Sequence, residues 1–122
     1  MSTEVFEYAV LRVVPRVERG EQVNVGVIVY SQGHRYLCAR THLDEARVRA
    51  LDPDADLAAV RTALDAYARS CDEGPLAAQS LGARFRWLTA PRSTVVQPGP
   101  THSGLTDDPA AELEHLLDTL VR

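Results

Sequence analysis

The sequence predicts an α+β fold: an N-terminal antiparallel three-stranded meander, then one or two later short strands, packed by a central helix and a C-terminal helix. Three observations carry this. Tyr8 to Val14 is apolar on both faces except at Arg12, and Val23, Val25, Val27 and Val29 then recur with the period of two that marks one face of a strand. Leu57, Val60, Leu64, Tyr67 and Cys71 recur at three and four residues, the stripe of an amphipathic helix that covers a sheet. Asp108-Pro109 ahead of Leu113, Leu116, Leu117, Leu120 and Val121 supplies a start signal and a buried face for the last helix.

Taken in order, strand one covers Val5 to Val14 and strand two Gln22 to Tyr30. Pro15 to Glu21, with a proline, a glycine and alternating charge, forms the hairpin loop. Symmetric closure of that loop sets Arg12 opposite Asn24 and Val10 opposite Gly26. A polar pair then sits inside an apolar ribbon, and it reads either as a structural hydrogen-bond pair or as part of a cleft. Ser31 to His34 turns into strand three, Arg35 to Arg40. Tyr8, Val10, Val13, Val25, Val27, Val29, Leu37 and Cys38 are the expected core of the meander.

Leu43 to Leu51 reads as a short helix capped by Asp44. Asp52 caps the longer helix, with Pro53 at its first position and Cys71 at its end. Pro75 to Leu81 forms one or two further turns that Gly82 stops. Arg84 to Leu88 alternates charged with aromatic or apolar residues, which suits a strand, a turn of helix being the alternative. Ser93 to Gln97 is a short strand, and Pro98 to Gly104, with two prolines and two glycines, is expected to be irregular.

The segments Tyr8 to Tyr30, Asp44 to Asp54 and Phe85 to Gln97, above all Arg12 with Pro15, Arg19-Gly20-Glu21 and Asn24-Val25-Gly26, resemble the bacterial domain-of-unknown-function family numbered three thousand thirty-seven. The resemblance runs from near Phe6 to the final helix. It implies no activity and no catalytic residues. What it does imply is a partner, a HipA-type kinase-like protein.

With 122 residues, 45% hydrophobic and 25% charged, the chain is read as one domain, residues 1–122, with a single core. No apolar run reaches the length of a membrane span and the N-terminus lacks signal-peptide character, so a cytoplasmic location is expected. Cys38 and Cys71 sit in apolar contexts that predict buried reduced thiols. All 13 basic residues are arginine, and net charge is −4. Residues 74–106 hold three arginines and no acid, whereas 41–73 carry eight acids against four arginines.

His34, Cys38 and His42 lie four apart, a spacing that suits a metal on a helix. On a strand it spans about 13 Å between neighbours, so no metal is expected. Thr101-His102-Ser103 lacks the rigid geometry of a nucleophilic triad, and no nucleotide, nucleophile-elbow or zinc-protease motif occurs. Neither a catalytic residue nor a cofactor is assigned. The candidate contacts are Arg12, Arg19, Asn24, Arg84, Arg86, Arg92 and His102, with Phe85 and Trp87 interleaved among the later arginines. The competing structural reading puts Phe85 and Trp87 in the core and has the arginines snorkel or pair with the acidic helix of residues 52–73. A non-enzymatic interaction or regulatory module is the favoured function. The alternative is a small enzyme or sensor that holds an anionic small molecule through an arginine cluster. Net acidity disfavours nucleic acid.

Overall fold

The computed structural model describes residues 2–122, and its centre is strand β1 (Glu4–Val13). On one side β1 pairs antiparallel with β2 (Val23–Ser31), which pairs in turn with β3 (Tyr36–Thr41). The predicted meander is therefore present, in the order β3-β2-β1. On its other side β1 pairs with two short strands, β4 (Val96–Pro98) and β5 (His102–Thr106).

Arg12 lies opposite Asn24 as expected, but Val10 lies opposite Val27, and Gly26 faces Leu11. The ladder slips by one residue between Leu11 and Arg12, leaving Val25 as an extra residue on β2. Such a bulge reverses which face each later side chain takes. Val23 and Val25 consequently pack with Ala9, Leu11 and Val13, while Val27 and Val29 pack on the opposite face with Phe6. The four valines do not share a face. Glycine is needed at position 26, because a β-carbon there would lie 2.8 Å from the Arg40 carbonyl oxygen.

Helices cover both faces. On one lie α1 (Glu45–Leu51), α2 (Leu57–Ser70) and α3 (Leu81–Leu88), around a core that includes Leu11, Val48, Leu64 and Phe85. On the other lies α4 (Pro109–Leu120), whose Leu113 and Leu117, followed by Val121, bury Phe6, Val27 and Val29. Leu116 and Leu120 are half-buried against the same cluster, as are Tyr8 and Cys38. Val10 and Leu37 are half-buried too, so four of the expected meander core residues sit at its margin.

Two caps fall where the sequence puts them: the Asp44 carboxylate accepts from the Arg47 amide at 3.3 Å, and Asp108 from the Ala111 amide at 3.1 Å. The start of α2 does not. Its cap is Asp56, which accepts from the Ala59 amide at 3.0 Å, whereas buried Asp52 ends α1 and holds the Asp54 amide at 3.0 Å. Pro53 belongs to the intervening turn. The stripe from Leu57 to Cys71 is buried throughout, as read.

Three later expectations are corrected. A 3-10 turn spans Pro75–Ala78, and Gly82 then continues α3 instead of ending a helix. Its role is close approach, since a β-carbon there would lie 2.8 Å from the Tyr30 hydroxyl. Arg84 to Leu88 is helical, because Phe85 and Leu88, three apart, are the buried positions and the Ser80 hydroxyl caps the start. The proline-glycine stretch is regular at its end: β5 pairs along β1 from Glu4 to Tyr8, with Pro98 and Pro100 outside the part that needs amide donors. Gly104 fits there because the Phe6 ring crosses it, 2.9 Å from where a β-carbon would stand.

Leu64→Ala should cost about 2–5 kcal/mol, the range for a leucine removed from a packed core, and a urea titration measures it. A loss below about 0.5 kcal/mol would mean that the α2 stripe faces water. Burial pushes the Cys71 thiol up to about 12. Because the folded value exceeds the ordinary thiol value of about 8.5, its contribution to stability is complete below that pH and is lost as pH climbs toward about 12. Thiol titration at pH 8 should modify at most Cys38 in the folded chain and both cysteines in denaturant; rapid labelling of Cys71 in the folded chain would contradict its burial.

Candidate functional site

The residues singled out from the sequence fall at six separate places. Arg12 and Asn24 are direct cross-strand neighbours, with Gln97 of β4 on the far side of Arg12. No side-chain hydrogen bond joins the pair. Asn24 instead donates its amide to the Leu120 carbonyl at 3.1 Å, tying β2 to the end of α4. The Arg12 guanidinium lies on the backbone of buried Gly99, where any β-carbon would collide with its Nη2. Arg19 stays in the β1–β2 loop and pairs with Glu21, next to Gly20 at φ 69°. Hydrogen bonding to Glu21 raises the Arg19 pKa and lowers that of Glu21.

Arg84 and Arg86 would share one face of a strand. On the helix α3 they point about 200° apart, since each residue turns the chain by about 100°. Arg84 donates to the carbonyls of Gln79 and Cys71, holding the end of α2 against the start of α3. Arg86 forks onto Glu7 of β1 at 2.9 and 2.7 Å, and that hydrogen bonding raises its pKa. Neither pairs with the acidic helix.

Arg92 sits elsewhere again. Its Nε donates to the Ala90 carbonyl at 3.3 Å and its Nη2 to the Trp87 carbonyl at 2.7 Å. These bonds hold the guanidinium 5.0 Å from the Trp87 ring and 5.5 Å from the Tyr67 ring. Phe85 is core, but Trp87 is 56% exposed, so the two aromatics part company. Together these groups border a groove of about 370 Å³ between α2, α3 and β4. Val60, Leu88 and Val96 form its floor, and Ala59, Ala63 and Ala66 its α2 wall. Tyr67 and the alanines were not among the candidates. Helical spacing of small residues at 59, 63 and 66 is the signal that marks the wall.

His102 opens β5, its ring 5.1 Å from that of Tyr8. Beyond it Val5 and Leu105 face each other across β1 and β5, both apolar and exposed, at 58% and 68%. The other histidines and cysteines are dispersed. His34 hydrogen-bonds the Thr106 carbonyl at 3.0 Å, Cys38 packs under α4 and His42 is exposed. Among the described residues no three His, Cys, Asp or Glu side chains are grouped to hold a metal, and no helix is long and apolar enough to cross a membrane.

A family model described as Protein of unknown function (DUF3037) matches residues 8–121. No curated protein and no solved structure matches the chain.

The contact between Arg12 and Gly99 is testable by coupling. Gly99→Ala should destabilise by about 1–3 kcal/mol as the added carbon displaces the guanidinium, and Arg12→Ala in the same chain should recover part of that loss. Strict additivity in a double-mutant cycle would show that the two positions do not meet.

Proposed function

We propose, for a chain that belongs to the DUF3037 family of proteins of unknown function, that it is a non-enzymatic interaction module which receives a strand of a protein partner along β5. The supporting observation is the exposed apolar pair Val5 and Leu105 on a stretch of sheet edge that carries no proline or formal charge. Sheet edges are normally protected by proline, charge, bulges or a covering element, because their unpaired backbone groups accept any extended chain. Here the first half of the edge carries Pro98, Gly99 and Pro100. The second half, Thr101 to Thr106, has neither proline nor formal charge, and among the described residues β5 pairs with β1 alone.

Strand addition at such an edge draws affinity from main-chain hydrogen bonds and specificity from neighbouring side chains. Val5 and Leu105 offer apolar contact on one face, and His102 over Tyr8 a polar and aromatic contact on the other. The candidate partner is the HipA-type kinase-like protein that the family resemblance implies, with the bacterial cytoplasm as the setting. An arginine cluster for an anionic ligand is not the reading adopted, because Arg84, Arg86 and Arg92 spend their donors in three directions.

The test is co-purification with that kinase-like protein, comparing wild type with Leu105→Asp. Leu105 is exposed, so the variant should fold, and it should bind at least about tenfold more weakly, equivalent to about 1.4 kcal/mol. Equal binding by both forms, or none by either, would overturn the proposal. A mass of two copies in light scattering, lost in Leu105→Asp, would mean that the edge takes a second copy of this chain instead.

A further inference from the structure

The groove between α2, α3 and β4 is unrelated to the β5 edge, and three of its features lack an account in the fold. Trp87 is exposed although it borders an apolar floor. Tyr67 is only 6% exposed, and its hydroxyl has no hydrogen-bond partner among the described residues. Buried hydroxyls are nearly always satisfied by protein or by ordered water. Arg92, third, has no carboxylate within ion-pair distance among the described residues, whereas Arg86 and Arg61 each hold one. Two of its five donors are bound by backbone carbonyls and fix the fork; the others are unspent.

From this we infer that the groove binds a small aromatic monocarboxylate, with its ring between Trp87 and the alanines of α2 and its carboxylate on Arg92. A volume of about 370 Å³ lies within the range of small-molecule sites. Ala59, Ala63 and Ala66, at intervals of four and three, line the α2 side of the groove with small side chains. A planar ring fits beside them. The lining carries one cation and no acid, which matches a single negative charge; a dianion such as phosphate would keep one charge uncompensated against apolar walls. Stacking of Arg92 between two rings orients the guanidinium before any ligand arrives, which lowers the entropic cost of binding.

Trp87 is the one tryptophan of the chain, so its fluorescence reports on this groove directly. Titration with 2-naphthoate should change its emission saturably below about 1 mM, an ordinary affinity for a single-anion site. The neutral isostere 2-naphthamide should bind at least about tenfold more weakly, and so should 2-naphthoate to Arg92→Gln, since each removes one side of a charge-assisted contact. Ala63→Leu, which fills the groove while keeping good helix propensity, should abolish the change. Circular dichroism confirms that each variant is folded, and the acid-against-amide comparison needs no variant at all. A linear, non-saturating response, equal binding of acid and amide, or saturation by inorganic phosphate alone would overturn the inference.

Discussion

One extra residue in the β1–β2 ladder sets the terms for everything around it. Without the bulge at Val25, Val23, Val25, Val27 and Val29 would line a single face, opposite Ile28 and Tyr30. The bulge divides them, two to each side. Val23 and Val25 thereby join Ile28, Tyr30 and the Leu11 face of β1 under α1 to α3, while Val27 and Val29 join Phe6 under α4, so both apolar faces of the hairpin are covered. Gly26 makes the irregularity possible, because it allows the β3 backbone at Arg40 to approach where a side chain would block it. Asn24, turned to the α4 side by the same slip, finds its acceptor at Leu120.

That dependence also explains what could be read from the residues alone. The strands, the meander and the buried stripe of α2 rest on local periodicity and were legible. Register across the bulge was not, since an inserted residue leaves no trace in a run of alternating valines. Asp52 and Asp56 are equally good caps by composition. The choice between them is made by tertiary structure, which buries Asp52 at the end of α1. At Arg84 to Leu88 a two-residue and a three-residue period compete over five positions, and the sheet settles it by offering Tyr30 and the core a helical Phe85. Prolines gave the most misleading signal: Pro98 and Pro100 mark a break in an edge strand, where their missing donors cost little, and not the absence of a strand.

The candidate site was legible as a segment and not as a constellation. Arginines 84, 86 and 92 stand without acids near them in sequence, and that observation was correct as far as it went. On a helix, however, neighbours two apart diverge, and a guanidinium with five donors settles on whatever acceptors surround it. Arg84 takes carbonyls at the end of α2, and Arg86 takes Glu7 from a strand nearly eighty positions earlier. Arg92 uses two donors, as Arg84 does, but it alone of the three lies over two aromatic rings, those of Trp87 and Tyr67. Separation in sequence hides such partners, because no local pattern encodes Glu7 beside Arg86.

Both openings in this molecule trace to helices too few and too short for the sheet they cover. Helix α4 packs over β2 and β3, and α2 over β3 and β4, while Phe6 and Tyr8 lie over the β5 end of the sheet. Helix α3 has eight residues, about 12 Å of length, and its last turn carries Trp87 past the edge of the core. Where α3 ends, the apolar floor of Val60 and Val96 continues beneath Trp87 without a helix to close it. The short α3 and offset α4 thus leave an uncovered edge at Val5 and Leu105 and an uncovered floor beside Arg92, and in a small domain with both faces of its hairpin buried, these are the surfaces on which apolar contact with another molecule remains available.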